Sequence, residues 1–128
     1  MKLHRLLIAT GFAVALTGAL GLTRSFAQGE ELDPVKIAPD VNKVVFENAL
    51  VRVTEERMPP GRVVTKHRHL HGVTVALADY QMEQKMYPNG NIVKSNRHIG
   101  EVNWTETIIH EARNVGTTNQ YVVRIELK

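Results

Sequence analysis

The sequence predicts an all-β domain, an antiparallel β-sandwich or small barrel, and three observations lead to that prediction. Short runs rich in Val, Ile and Thr recur along the chain, and such runs are typical of strands. Turn sequences rich in Pro, Gly and Asn separate them, for example at 58–61, 88–91 and 114–119. No stretch beyond residue 27 carries an apolar stripe at helical spacing with capping residues. The 128 residues leave room for one domain.

Roughly eight strands follow from this pattern, after an extended lead-in over 28–43 with an edge strand near 35–37. The turn at 58–61 contains two prolines, which donate no hydrogen bond to a central ladder. The turn at 88–91 contains Asn89-Gly90, a hairpin signal because both residues tolerate positive φ. The predicted strands are 43–47, 49–58, 63–69, 72–78, 80–87, 92–97, a pair within 100–109, and 120–127.

The last predicted strand alternates two sets of side chains, which period-2 geometry places on opposite faces. The two sets are Val122, Arg124 and Glu126 on one face and Val123, Ile125 and Leu127 on the other.

Residues 1–27 are predicted to be a secretory signal peptide. A basic start with Lys2 and Arg5 precedes an uncharged apolar run over 6–22, and small residues at Ser25 and Ala27 suit a signal peptidase. The alternative is an uncleaved anchor, but the run of 17 residues is diluted by Gly and Thr, and a spanning helix needs about 20. We therefore expect cleavage before Gln28, a periplasmic or secreted protein, and no membrane attachment afterwards.

The charge balance depends on this leader. The formal charge of +3 includes Lys2, Arg5 and Arg24, and without those three the 16 basic residues fall to 13, equal to the 13 acidic ones. A neutral domain without a basic run is not expected to bind nucleic acid. The chain has no cysteine, which excludes disulfides, thiolate metal ligands and a cysteine nucleophile.

Histidines provide the clearest chemistry in the sequence. His67 and His69 are two residues apart on one predicted strand, so their side chains share a face with Cα atoms about 6.6 Å apart. Two imidazoles at that spacing can bind one metal ion. His71 lies about 13 Å from His67 along a straight strand, and it joins the pair only if the strand bends at Leu70. His110 is the remaining candidate for a third ligand. The alternative interpretation is a polar strand face that hydrogen-bonds to water or backbone.

The spacing around these histidines resembles the two motifs of the cupin superfamily. Gly61 stands six residues before His67, as in the front half of the first motif, and Asn114 stands four residues after His110, as at the end of the second. The likeness covers residues 44–128, and over this range the chain resembles a group of small single-domain bacterial cupins. It implies a double-stranded β-helix of jelly-roll type, that is, an antiparallel β-sandwich or barrel. It also implies a homodimer.

The chain departs from the family pattern at one ligand. The first motif's glutamate should fall at Val73 or Thr74, and neither side chain ligates as a carboxylate does. The resemblance then implies a three-histidine centre of His67, His69 and His110, with His71 as an additional candidate. A divalent transition metal is expected there: iron, zinc, manganese, nickel or copper.

Several other residues are considered and are not predicted to bind the metal. His98 beside a turn is expected at the surface, and Trp104 in the core or at the barrel rim. The strand acids nearest the histidines are Glu55, Glu56 and Glu83; one of them could point into the barrel, but none is assigned as a ligand. The strand arginines are Arg52, Arg57 and Arg124; they are interpreted as outward charges, although one pointing inward could receive an anionic substrate.

Three functions remain open from the sequence. The first is a metal-dependent enzyme of oxygenase, isomerase or lyase type acting on a small organic substrate. The second is a cupin that binds a metal or small ligand without turnover, and the third is a metal-free structural or interaction barrel. No catalytic residue is assigned, and the small-molecule ligand is not identified, because a fold does not determine a function.

Overall fold

The computed structural model describes residues 31–128, which form one short helix and nine strands. The signal-peptide prediction concerns residues outside this range. No helix within the range is long and apolar enough to cross a membrane. The all-β prediction is confirmed. In chain order the elements are α1 (Pro34–Ile37), β1 (Asn42–Glu47), β2 (Val51–Met58), β3 (Val63–His69), β4 (Gly72–Ala76), β5 (Tyr80–Met86), β6 (Ile92–Arg97), β7 (Val102–Thr105), β8 (Ile108–Asn114) and β9 (Gln120–Leu127).

The strands form two antiparallel sheets. The first has five strands in the order β1-β2-β9-β4-β7, and the second has four in the order β3-β8-β5-β6. Consecutive strands therefore often belong to different sheets, as β2 and β3 do, so the chain crosses repeatedly between two facing layers. The predicted hairpin at Asn89-Gly90 joins β5 to β6, with Gly90 at φ 75°.

The lead-in differs from the prediction. The expected edge strand near 35–37 is wrong, because Pro34–Ile37 form a single helical turn. Asp33 caps this turn by accepting from the Val35 backbone N–H at 3.0 Å, and Pro34 fits the first helical position, where no N–H is needed. Nine strands are present within the described range, rather than roughly eight.

A β-bulge in β3 sets the direction of the histidines. Val64 pairs with Ala112 and His67 pairs with His110, so three steps along β3 match two along β8. Without the extra residue, the period-2 alternation that buries Val64 would turn His67 and His69 outward. The bulge reverses that alternation, and both histidines are buried.

The apolar core occupies one end of the space between the sheets. The turn α1 and the segment after it close this end, and Ile37 and Tyr80 pack against it. The other end is lined by polar side chains. The buried apolar residues are Ala38, Val41, Met58, Val64, Met82 and Ala112.

Candidate metal centre

Three buried imidazoles meet at the polar end of the barrel. His67 and His69 come from β3 and His110 from β8, and all three are at most 3% exposed. The ring centroid of His110 lies 4.5 Å from that of His67 and 5.4 Å from that of His69. One ring nitrogen from each histidine lies within 4.8 Å of the others. The structure thus brings together the three residues that the sequence singled out.

The nitrogen spacing fits a shared metal ion. Nε2 of His67 and Nε2 of His69 are 3.1 Å apart. Two nitrogens about 2.1 Å from one ion, at angles of about 90° to 109°, lie about 3.0 to 3.4 Å apart. Nδ1 of His67 donates to the Thr65 carbonyl at 2.7 Å, which leaves the Nε2 lone pair free for a ligand bond.

Glu126 of β9 orients the second histidine. Nδ1 of His69 donates to Oε1 of Glu126 at 2.9 Å, and both side chains are buried. Gly72 allows β4 to approach β9 here, because a Cβ on Gly72 would lie 2.0 Å from the Ile125 carbonyl oxygen. A carboxylate behind a ligating imidazole fixes the ring and raises its basicity. Glu126 therefore supports the candidate ligand from behind.

His110 is the least satisfied of the three rings. Both of its ring nitrogens are buried without a hydrogen-bond partner among the described residues, which is costly unless a ligand is bound. Burial and the neighbouring positive groups lower the pKa of His110 to about 2. Burial also lowers the pKa of His67, and that of His69 well below its ordinary value. The rings are therefore neutral near pH 7, the form that binds metals.

A buried ion pair lies beside the histidines. Arg124 of β9 donates through Nε to Oε1 of Glu56 on β2, and both side chains are less than 10% exposed. Gln120 donates through Nε2 to Oε2 of the same carboxylate at 3.5 Å. Burial raises the pKa of Glu56, but attraction to Arg124 outweighs it and leaves the pKa below its ordinary value. Glu56 is therefore ionised and engaged by two side chains.

These groups line one pocket with the histidines. Its free volume is about 20 Å³, and its lining also includes the apolar side chains Met58, Val64 and Met82. That space holds about one water molecule, and a few convergent polar groups among apolar walls are typical of a site for a small ligand.

The other sequence candidates lie elsewhere. His71 is outside the three-histidine group, with its ring 5.9 Å from that of Trp104. Trp104 is 54% exposed on β7, so it is not a core residue. His98 is exposed as predicted and lies near Asp79. At the position of the missing family glutamate, Thr74 is buried and hydrogen-bonds to the Asn103 carbonyl.

The structure corrects the interpretation of the arginines but not that of the acids. Arg124 is not an outward charge, since it is 7% exposed inside the barrel. Glu56 also points inward, but it pairs with Arg124 and does not belong to the ligand group. Glu126 was missed entirely, because alternation along β9 shows that it shares a face with Arg124 but not that this face is buried.

Comparisons with solved structures place this fold among cupins. A cupin domain from Bordetella pertussis Tohama I is 31% identical, with a TM-score of 0.62, over 69% of this chain and 92% of that one. A Klebsiella pneumoniae protein with a double-stranded β-helix domain is 22% identical, with a TM-score of 0.53, over 66% of this chain and 73% of that one. A cupin superfamily protein from Desulfitobacterium hafniense is 11% identical, with a TM-score of 0.52, over 68% of this chain and 75% of that one.

No protein-family model matches the sequence, and no curated protein does either. The structural likeness therefore supplies the family assignment, and the chemistry has to be argued from the site itself.

Proposed function

This chain belongs to the cupin superfamily, and we propose that it is a metal-dependent cupin acting on a small organic molecule. His67, His69 and His110 hold one divalent transition-metal ion. With three protein ligands, the ion would keep coordination positions for a substrate that enters the pocket.

The convergence of the imidazoles carries this proposal. The Nε2 atoms of two rings lie 3.1 Å apart, and neither nitrogen of the third ring has a hydrogen-bond partner within residues 31–128. A cation would satisfy this arrangement. The Thr65 carbonyl and the Glu126 carboxylate already hold His67 and His69 from behind. Such outer partners are typical of metal-binding histidines.

Three neutral imidazoles suit several first-row metals: iron, zinc, manganese, nickel or copper. A metal bound there can polarise a substrate carbonyl or lower the pKa of a bound water to about 7. The residues of this chain do the positioning. Glu126 holds His69 in place, Gln120 and Arg124 offer polar contacts to the substrate, and the apolar wall with Met58 and Met82 limits water.

One observation favours a second candidate, a cupin that binds a metal or small ligand without turnover. Both carboxylates beside the histidines are engaged, Glu56 with Arg124 and Glu126 with His69. Neither is free to act as a general base toward a substrate. Iron content with substrate-dependent oxygen uptake supports the enzyme, whereas tightly held zinc without exchangeable positions supports the binder.

Metal content is the test of the site. The protein is purified without an affinity tag after expression of the full chain, and its metals are measured beside His110→Gln and His67→Gln variants. The matched controls are His98→Ala and His71→Ala, which remove imidazoles outside the group. We expect about one equivalent of metal in the wild type and both controls, and less than a tenth in the two site variants. A folded wild type that takes up none when offered each metal would leave a metal-free structural or interaction barrel.

Export is part of the proposal and has its own measurement. The basic, apolar and small-residue segments of 1–27 support cleavage before Gln28. Intact mass of the protein from a periplasmic extract should match a chain beginning at Gln28. A full-length mass in the membrane fraction would indicate an uncleaved anchor instead.

A further inference from the structure

We propose that the outer face of the four-stranded sheet binds the surface of an anionic phospholipid bilayer. This face lies on the other side of the sheet from the three histidines, so the inference goes beyond the proposed function and needs no bound metal. Five basic side chains define it, and we call it the basic face: Lys66, Arg68, Lys85, Lys94 and Arg113.

The alternation of strand residues turns three of these side chains outward. On β8, Arg113 is exposed between two buried residues. On β5, Lys85 is exposed three residues after the buried Met82. Lys94 of β6 is the register partner of Glu83 on β5 and forms an ion pair with it at 3.5 Å. Because Glu83 and Lys85 are two residues apart, and cross-strand partners share a face, Lys94 lies on the same side as Lys85.

The bulged strand β3 contributes the other two cations. Arg68 lies between the two buried histidines of this strand, so its side chain points away from them. Lys66 belongs to the bulge, and its Nζ lies 4.8 Å from the ring centre of Tyr87. Tyr87 comes two residues after Lys85, on the outward side. Both cations of β3 therefore lie on the basic face.

Most of these cations have no acidic partner. Lys94 pairs with Glu83, whereas the other four form no ion pair within residues 31–128. The acids on the same face are Glu83 and Glu111, so five positive charges and two negative ones leave an excess of three. By contrast, Arg52 and Lys128, elsewhere on the surface, each pair with an acid. A surface with unpaired charges of one sign attracts partners of the opposite sign.

A count of charges along the sequence could not reveal this face. The 13 basic and 13 acidic residues of 28–128 cancel, but the fold gathers five of the basic ones on one side of one sheet. The contact proposed here is peripheral and needs no spanning segment. It replaces the expectation of no membrane attachment after cleavage, which rested on the leader.

Aromatic and aliphatic side chains lie among the cations. The ring centre of Tyr87 is 4.8 Å from Nζ of Lys66 and 5.8 Å from Nζ of Lys85. Ile92 lies opposite Lys85 in the ladder and is 54% exposed. Proteins that bind at the boundary between lipid headgroups and acyl chains combine cations with such side chains. Tyr87 and Ile92 would enter the headgroup layer while the cations contact the phosphates.

The arrangement of the cations favours a lipid surface over a nucleic acid. They lie on all four strands of the sheet, and strands are about 4.8 Å apart, so they form a two-dimensional array, as lipid headgroups do. The phosphates of a nucleic acid follow a line, and single strands stack on several aromatic rings along a groove. Within residues 31–128, Tyr87 is the one aromatic ring on this face.

Cosedimentation with vesicles tests the basic face. The probes are vesicles of phosphatidylglycerol and phosphatidylcholine in equal parts, and vesicles of phosphatidylcholine alone. The key variant is Lys66→Gln/Lys85→Gln. The matched control is Lys43→Gln/Arg57→Gln, which removes the same charge from exposed positions on the larger sheet. All the proteins share the same N-terminus, so any contribution of residues 1–30 is the same in each.

We expect the wild type and the control to bind the mixed vesicles but not the neutral ones. An increase in salt from about 0.05 M to about 0.5 M should release them, because salt screens exposed charges. The key variant should bind the mixed vesicles at least about tenfold more weakly, since each cation near an anionic surface adds to the attraction. Lys94→Gln/Arg113→Gln, on the other two strands, should also weaken binding.

Four results would overturn the inference. The wild type could bind neither kind of vesicle, or bind both equally. The control could lose as much binding as the key variant, which would show that only the total charge matters. The key variant could bind as the wild type does. Finally, the wild type could bind a DNA duplex and no vesicles, which would assign the face to nucleic acid. None of these results depends on metal content, so failure of the basic face leaves the three-histidine centre untouched.

Discussion

The two faces of β9 reverse the usual placement of polar and apolar side chains. The inward face carries four buried residues, three of them polar: Gln120, Val122, Arg124 and Glu126. The outward face carries four partly exposed residues, three of them aliphatic: Tyr121, Val123, Ile125 and Leu127. In a small domain the interior would ordinarily hold the aliphatic set.

The reversal shows that the barrel interior is stabilised in two different ways. Polar side chains are tolerated inside because nearly every ionisable one has a hydrogen-bonding partner. Arg124 pairs with Glu56, and His69 pairs with Glu126. Around the three histidines, stability depends on this pairing of polar side chains. Around Met58 and Val64 it depends on burial of apolar side chains.

The largest expected effect comes from breaking a pair on the inward face. Arg124→Met leaves the Glu56 carboxylate buried and unpaired, and removing one partner of a buried ion pair costs about 3–5 kcal/mol. Urea unfolding should record that loss, while Arg124→Met combined with Glu56→Gln should recover most of it. Arg57→Met, on the outward face of β2, should change the unfolding free energy by less than about 0.5 kcal/mol. Equal losses in both single variants would contradict the distinction between the faces.

Acid should weaken the metal-free inward face next. The pKa of His110 is lowered to about 2 by burial and nearby positive groups, whereas an unfolded histidine has a pKa near 6.5. Below that value the unfolded chain binds more protons than the folded one, so stability falls as pH falls. Each imidazole that stays neutral should cost about 2 kcal/mol between pH 7 and pH 5.

Urea unfolding at both pH values, with a chelator present, measures this loss. His110→Phe keeps an aromatic ring and removes the titrating group, so its pH-dependent loss should be smaller by about 2 kcal/mol. An identical pH dependence in His110→Phe and the wild type would show that His110 does not cause the loss of stability in acid.

Much of the fold could be predicted because its determinants are local. Turn chemistry such as Asn89-Gly90 and β-branched runs mark the strands in the sequence itself. The motif spacing also selected His67, His69 and His110, which the barrel brings together. The short helix at Pro34–Ile37 escaped notice because four residues are too few for a periodic pattern.

The supporting residues could not be predicted, for reasons of geometry. Alternation shows that Arg124 and Glu126 share a face of β9, but not which face is buried, because the opposite set is equally regular. The bulge in β3 that turns His67 inward depends on pairing with β8, more than 40 residues away. The partner of His69 is 57 residues distant in sequence, and only the folded sheet order brings Glu126 to it.

Glu126 tests whether the pairing on the inward face serves the metal. Glu126→Gln keeps the shape of the side chain but replaces a carboxylate acceptor with an amide behind His69. Loss of such a partner weakens metal binding about 10–100-fold, which competition with a chromogenic chelator can measure. Glu55→Gln, on the outward face of β2, is the matched control and should leave affinity unchanged. Unchanged affinity in Glu126→Gln would mean that the carboxylate is only structural.

The smallest expected effect compares two neighbouring valines of β9 directly. Val122 is 1% exposed on the inward face, and Val123 is partly exposed on the outward face. Replacing Val122 with Thr exchanges a buried methyl group for a hydroxyl, at a cost of about 1–2 kcal/mol. Val123→Thr should change the unfolding free energy by less than about 0.5 kcal/mol. The two variants should therefore differ in urea unfolding; if they do not, the two faces of β9 contribute alike to stability.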